Sequence, residues 1–210
     1  MADAFPYPTE PIRRGKVLNA EDLERLGGFA RYKDVDGDGV GYRTLPATPH
    51  PAGAYFTRGS GHGANAQYSE REDDYINNVD RLNRKFESIR AALWPPTTDY
   101  NEKASIGIVC AGTTHFSAEE SRCQLIEEHK CETSYLRLRS YPFNQDLVDF
   151  IRRHDRVYII DQNRDAQLLQ LMRLELDPSD LAKLRSVRYY GGLPIDARTI
   201  TDDIVTQEGL

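Results

Sequence analysis

Three carboxylates alternate in Asp34-Val35-Asp36-Gly37-Asp38-Gly39, and acids at alternate positions of a glycine-bearing loop are the opening of a cation site. With Asp34 as position 1, acids fall at positions 1, 3 and 5 of a calcium loop and glycine at position 6. Leu45 stands at position 12, where a bidentate glutamate belongs, and Gly41 at position 8 replaces the usual apolar residue. Asp34, Asp36 and Asp38 are therefore either a weak metal site or an Asx-type turn bonded to nearby backbone or to an arginine such as Arg43. A second group, Thr57-Arg58-Gly59-Ser60-Gly61-His62, offers hydroxyls, a guanidinium, glycine-rich backbone and an imidazole within six residues. Such a loop could hold a carboxylate or phosphate through the arginine fork and open amides, or it could be a subunit-contact loop. A third group lies in Asp161-Gln162-Asn163-Arg164-Asp165-Ala166-Gln167, where an apolar run gives way to a helical pattern. The carboxyl end of a parallel strand is where α/β sheets bind ligands, so Asn163, Arg164 and Gln167 are either ligand-facing or capping and interface residues. His115, after Gly112-Thr113-Thr114, stands at the matching end of an earlier apolar run and joins the same surface. No Ser/His/Asp or Cys/His pattern is present, so no catalytic residue is assigned.

Composition bounds the chemistry. The 210 residues are 39% hydrophobic and 29% charged, which suits a soluble globular chain, with a net charge of −6. That charge argues against a nucleic-acid partner, whose phosphates call for a basic face. No apolar run approaches the ~20 residues that cross a bilayer, and Met1 to Pro11 has no hydrophobic core of a secretory signal. A cytoplasmic chain without a membrane partner is expected. Cys110, Cys123 and Cys131 follow no metal-ligand spacing and are too few for an iron–sulfur cluster. Cys110 and Cys123 read as buried, reduced residues.

Two regions must position these groups. Residues 1–72 form an irregular arm rich in Gly, Pro, Asp and Tyr, with one short helix from Asn19 to Leu26 capped by Asn19. Its aromatics, Phe5, Tyr7, Phe29, Tyr32, Tyr55 and Phe56, imply packing on a partner domain. Residues 73–210 alternate helices and strands. Tyr75, Ile76, Val79, Leu82, Phe86, Ile89 and Leu93 recur every three to four residues, an amphipathic stripe ended by Trp94-Pro95-Pro96. Strands follow at 105–110, 133–138, 156–160 and 186–190. Helices are expected from a Ser117 capping box to Lys130, from Asn144 to His154, from Arg164 to Leu176 with Asn163 as cap, and from Asp196 to Thr206. His50, His129 and His154 read as solvated or helix-end residues. Strands separated by single helices pair in parallel through right-handed crossovers, which gives a three-layer α/β/α fold with a mostly parallel sheet.

The stretch Gly28–Pro46, with PYPTEPIRRGKVLNAEDL before it and YFTRGSGH after it, resembles the alpha subunit of the 2-oxoacid:ferredoxin oxidoreductases, most closely the 2-oxoglutarate type. Tyr135–Arg139, Tyr141–Asn144, Val157–Gln167 and Tyr190–Pro194 extend the resemblance to nearly the whole chain. It implies that residues 73–210 are a transketolase C-terminal-like domain. It also implies that a gamma-type domain and a pyrimidine-binding domain, which precede this region in the usual subunit, lie on other chains or were lost by truncation. Thiamine diphosphate, magnesium and the iron–sulfur cluster would then belong to partner modules, chiefly the beta subunit. Ferredoxin and coenzyme A would serve the whole complex. The Gly37-Asp38-Gly39 triplet lacks the distant asparagine of a thiamine-diphosphate motif. The chain would supply subunit contacts to oxidative decarboxylation of a 2-oxoacid. Thr57, Arg58, His62, His115, Asn163, Arg164 and Gln167 would be the residues facing substrate or coenzyme A. The alternatives are a free-standing interaction module of the same fold and a small-ligand or calcium-binding domain.

Overall fold

The computed structural model describes residue 7, residues 9–57, residue 59 and residues 61–210; Phe5, Arg58 and Ser60 lie outside them. Two compact units divide between Ile89 and Arg90. A long helix opens at Glu72.

The larger unit is built on a five-stranded sheet. Its strands are β1 (Thr97–Asp99), β2 (Ile106–Ala111), β3 (Thr133–Leu138), β4 (Arg156–Asp161) and β5 (Leu184–Arg188), in the order β1-β3-β2-β4-β5. Strands β2 to β5 pair in parallel, and β1 is an antiparallel edge strand. Sequence periodicity gives no sign of β1, because three exposed residues, Thr-Thr-Asp, carry no apolar alternation. The central strands are buried on both faces, as parallel strands must be when helices cover both sides. Ile108 and Tyr158 point to one face, Val109 and Ile159 to the other. Helices α3 (His115–His129) and α7 (Ala197–Glu208) cover the first through Ala118, Leu125, Ile200 and Ile204. Helices α4 (Gln145–Arg153) and α5 (Gln167–Glu175), with the short α6 (Pro178–Leu181), cover the second through Leu147, Phe150, Ile151, Leu169 and Met172. This is the expected three-layer α/β/α fold.

Several local expectations are corrected. Helix α3 opens at His115 on a 3₁₀ turn, Gly112–Thr114, two residues before the expected cap. Ser117 donates instead to the Ile195 carbonyl at 2.6 Å, a contact that a local pattern cannot reveal. Helix α5 starts at Gln167, because Ala166 takes a left-handed conformation and Asn163 Oδ1 accepts the Asp165 amide in a turn before it. Cys123 is exposed, whereas Cys110 is buried. His154 is buried; its Nδ1 lies 2.7 Å from the Phe150 carbonyl, and burial lowers its pKa below the ordinary 6.5.

The smaller unit has little regular structure. Helix α1 (Ala20–Leu26) opens on a capping box in which Asn19 Oδ1 accepts the Asp22 amide and Asp22 accepts the Asn19 amide. It buries Leu23 completely. Helix α2 (Glu72–Ala92) has its apolar stripe where the periodicity places it, but leaves the stripe exposed. Tyr75, Ile76, Val79, Leu82 and Phe86 remain between 42% and 59% exposed, and the buried residue of the helix is Arg81. The polar side packs instead, because the acidic turn demands donors. Arg81 Nη1 donates to the Gly39 carbonyl at 3.1 Å and Ser88 Oγ to the Asp38 carbonyl at 2.7 Å. Gly39 makes that approach possible. Its φ is +76°, and a Cβ there would lie 2.5 Å from the Arg81 carbonyl oxygen, so no other residue fits.

Candidate functional site

Two places bring together residues with chemistry. The first is the carboxyl edge of the sheet. The chain leaves β2 toward one side, through α3 to β3, and leaves β4 toward the other, through α5 to β5. These helices lie on opposite faces, so the ends of β2 and β4 flank a topological switch point, where open α/β sheets form a crevice. His115 follows β2 and Asn163 follows β4, so the expected residues do share this edge. The crevice is tied shut by a residue sequence reasoning did not single out. Gln162 donates to Thr114 Oγ1 at 3.0 Å and accepts the Ile195 amide at 2.9 Å, joining three connections. Asp161 Oδ2 accepts the Leu168 amide at 2.9 Å and so holds the start of α5. Arg164 pairs with Asp165, and its carbonyl accepts Arg188. Asn163 is used in the turn, and Gln167 is exposed at the first position of α5.

Beneath this edge lies a polar chain. The Tyr135 hydroxyl is 2.7 Å from His115 Nδ1 and 3.2 Å from Cys110 Sγ, and His115 Nε2 is 3.3 Å from Glu119. Burial pushes the Cys110 thiol up to about 11 and the Tyr135 phenol further above its usual value. Both groups stay neutral near pH 7, so the chain orients His115 and offers no nucleophile. Tyr135 belongs to the alternating pattern of β3, but nothing in the pattern says which buried tyrosine needs a partner.

The second place is in the smaller unit, where the acidic turn is held by cations. Lys16 Nζ lies 2.6 Å from Asp36 and 2.7 Å from Asp38, and Arg84 Nε lies 2.9 Å from Asp34. Backbone amides of Gly39 and Val40 complete Asp34 and Asp38. Burial raises the Asp34 carboxyl, but the Arg84 and Gly39 bonds together outweigh it and hold the group below its usual range. The Lys16 bond does the same for Asp38. The expected Arg43 instead donates to the Arg14 carbonyl. Among the described residues no group of three or more His, Cys, Asp or Glu is arranged to hold a metal ion.

Beside the turn is a cavity of about 520 Å³ lined by Arg14, Lys16, Arg31, Arg43, Arg81 and Lys85. His62, from the glycine-rich loop, also lines it, stacked on Tyr32 with ring centroids 3.8 Å apart. Thr57 of the same loop meets the Tyr32 hydroxyl at 3.2 Å but does not line the cavity. The basic residues are scattered over 70 positions of sequence, so no motif announces them.

The larger unit is thus of the three-layer α/β/α class with a parallel sheet and a switch point. A solved structure with which the chain shares its fold is "2-oxoglutarate:ferredoxin oxidoreductase from Magnetococcus marinus with 2-oxoglutarate, coenzyme A and succinyl-CoA bound". The TM-score is 0.72 at 19% sequence identity, over 86% of this chain and 31% of that one. The chain therefore spans less than a third of the length of the chain it matches. No protein-family sequence model and no curated protein match it. No helix among the described residues is long and apolar enough to cross a membrane.

Proposed function

We propose that this chain is the C-terminal part of the alpha subunit of a 2-oxoacid:ferredoxin oxidoreductase, 2-oxoglutarate being the favoured acid, and that its own role is structural. The observation that carries the reading is the likeness over 86% of the chain to an enzyme bound to 2-oxoglutarate, coenzyme A and succinyl-CoA. The exposed stripe of α2 supports it. Five apolar side chains left in water on one helix face are explained when a partner module covers them. Residues 73–210 would be the transketolase C-terminal-like domain and residues 1–72 an arm packed on a partner domain, the two together docking onto pyrimidine-binding and gamma-type modules and the beta subunit. Those partners would hold thiamine diphosphate, magnesium and the iron–sulfur cluster. Oxidative decarboxylation would proceed there, with electrons leaving to ferredoxin and the acyl group passing to coenzyme A. Thr57, Arg58 and His62 are the residues of this chain assigned toward the assembled active-site wall, with His115, Asn163, Arg164 and Gln167 as the residues at the sheet edge. The test is native purification of the chain from its own cells, with mass spectrometry of co-eluting proteins and an assay of coenzyme A-dependent ferredoxin reduction by 2-oxoglutarate. Co-elution of the partner subunits with activity supports the reading. A chain recovered alone and inactive contradicts it and leaves a free-standing interaction module.

A further inference from the structure

We infer that the basic cavity of the smaller unit binds a small polyvalent oxyanion, a diphosphate or another ligand carrying two or more adjacent anionic groups. Lys16 is neutralised by Asp36 and Asp38. Arg14, Arg31, Arg43, Arg81 and Lys85 have no ion-pair partner among the described residues, yet all five line one cavity. Concentrating like charges around a concave site is unfavourable unless an anion enters it. Arg81 makes the point most sharply. It is only 9% exposed, and burial, with Arg31 adding like-charge repulsion, depresses its pKa. Buried cations are ordinarily paired, and among the described residues this one has a single carbonyl bond and the face of Tyr32, 5.4 Å away.

The unsatisfied atoms point the same way. Among the described residues Arg81 Nε and His62 Nδ1 are buried without a hydrogen-bond partner, and both residues line the cavity. A buried polar atom left without a partner is costly, so its presence in a lined cavity marks a site that a ligand completes. At about 520 Å³ the space suits a small molecule. Arg31 is already held by the Tyr55 hydroxyl and the Tyr42 carbonyl, so the wall is pre-set.

This inference rests on the smaller unit alone and is independent of the oxidoreductase reading, since it is tested on the isolated chain without partners or turnover. Titration calorimetry and thermal unfolding with inorganic pyrophosphate and with citrate, at 0.15 M salt, are the measurements. Saturable binding with a rise in melting temperature is expected. Arg14→Ala with Lys85→Ala should weaken it at least tenfold, while Arg173→Ala, in α5, should leave it unchanged. Arg14 and Lys85 donate no side-chain bond to the fold among the described residues, so this variant should fold. Arg81→Lys, which keeps the charge and removes Nε as a forked donor, should bind pyrophosphate more weakly still. A preference for pyrophosphate identifies a phosphorylated ligand, and a preference for citrate a polycarboxylate. Absence of binding by both anions, or equal weakening by Arg173→Ala, overturns the inference.

Discussion

The two units solve the folding problem by opposite means. The larger one buries apolar strands between two helical layers. The smaller one places an arginine in its interior, pins an acidic turn to a helix with carbonyl and carboxylate bonds, and leaves that helix's apolar stripe in water. A core of the first kind is sufficient in itself. The difference teaches that burial of apolar strands holds the larger unit, while paired charges and carbonyl bonds hold the smaller.

The largest test of this contrast is in the larger unit. Phe150→Ala, in a fully buried position, should cost about 3–5 kcal/mol by chemical denaturation. It should leave pyrophosphate binding in the smaller unit unchanged. Next comes Gly39→Ala, which forces a left-handed Cβ against the backbone of α2. Backbone strain alone is roughly 1–3 kcal/mol, and the clash adds to it. Limited proteolysis should then open the arm while the sheet domain survives, and simultaneous cleavage of both would show that the units are not separable in stability.

Acid should also separate them. The His154 pKa is depressed, so the unfolded chain binds the extra proton first, and the larger unit loses stability as pH falls below 6.5. Asp34 and Asp38 have depressed carboxyl pKa values, so their contribution is present above 3.8 and is lost only as pH falls below it. Site-resolved amide exchange across pH 3–7 reads both windows, and His154→Gln should flatten the upper one. The thiols give a smaller effect. Iodoacetamide at pH 8 should label exposed Cys123 and spare Cys110, whose thiol is pushed up to about 11.

The sheet domain was legible because parallel strands between helices repeat an apolar code that needs no tertiary information. Val157–Ile160 and the Tyr75–Phe86 stripe were visible at once. What the code does not say is which way a stripe faces. Periodicity marks α2 as amphipathic, but only the donors demanded by Gly39 and Asp38 decide that its polar side packs inward. The acidic turn was legible as a motif and ambiguous as chemistry, because Lys16 and Arg84 lie 22 and 50 residues from their partners. Gln162 was in view within a quoted motif, yet its ties to Thr114 and Ile195 depend on connections that sequence does not juxtapose. The basic cavity was invisible for the same reason.

The smallest effect on stability belongs to the most informative variant. Ile76→Glu with Phe86→Glu alters two exposed side chains and should change the stability of the isolated chain by about 0.5 kcal/mol or less per site. The direct measurement is a native pull-down comparing this variant with the unaltered chain, scored by mass spectrometry of the captured subunits. The proposed role predicts that the unaltered chain brings down beta-type and pyrimidine-binding partners and the variant brings down neither. Equal capture by both, or capture of neither partner by the unaltered chain, would contradict it.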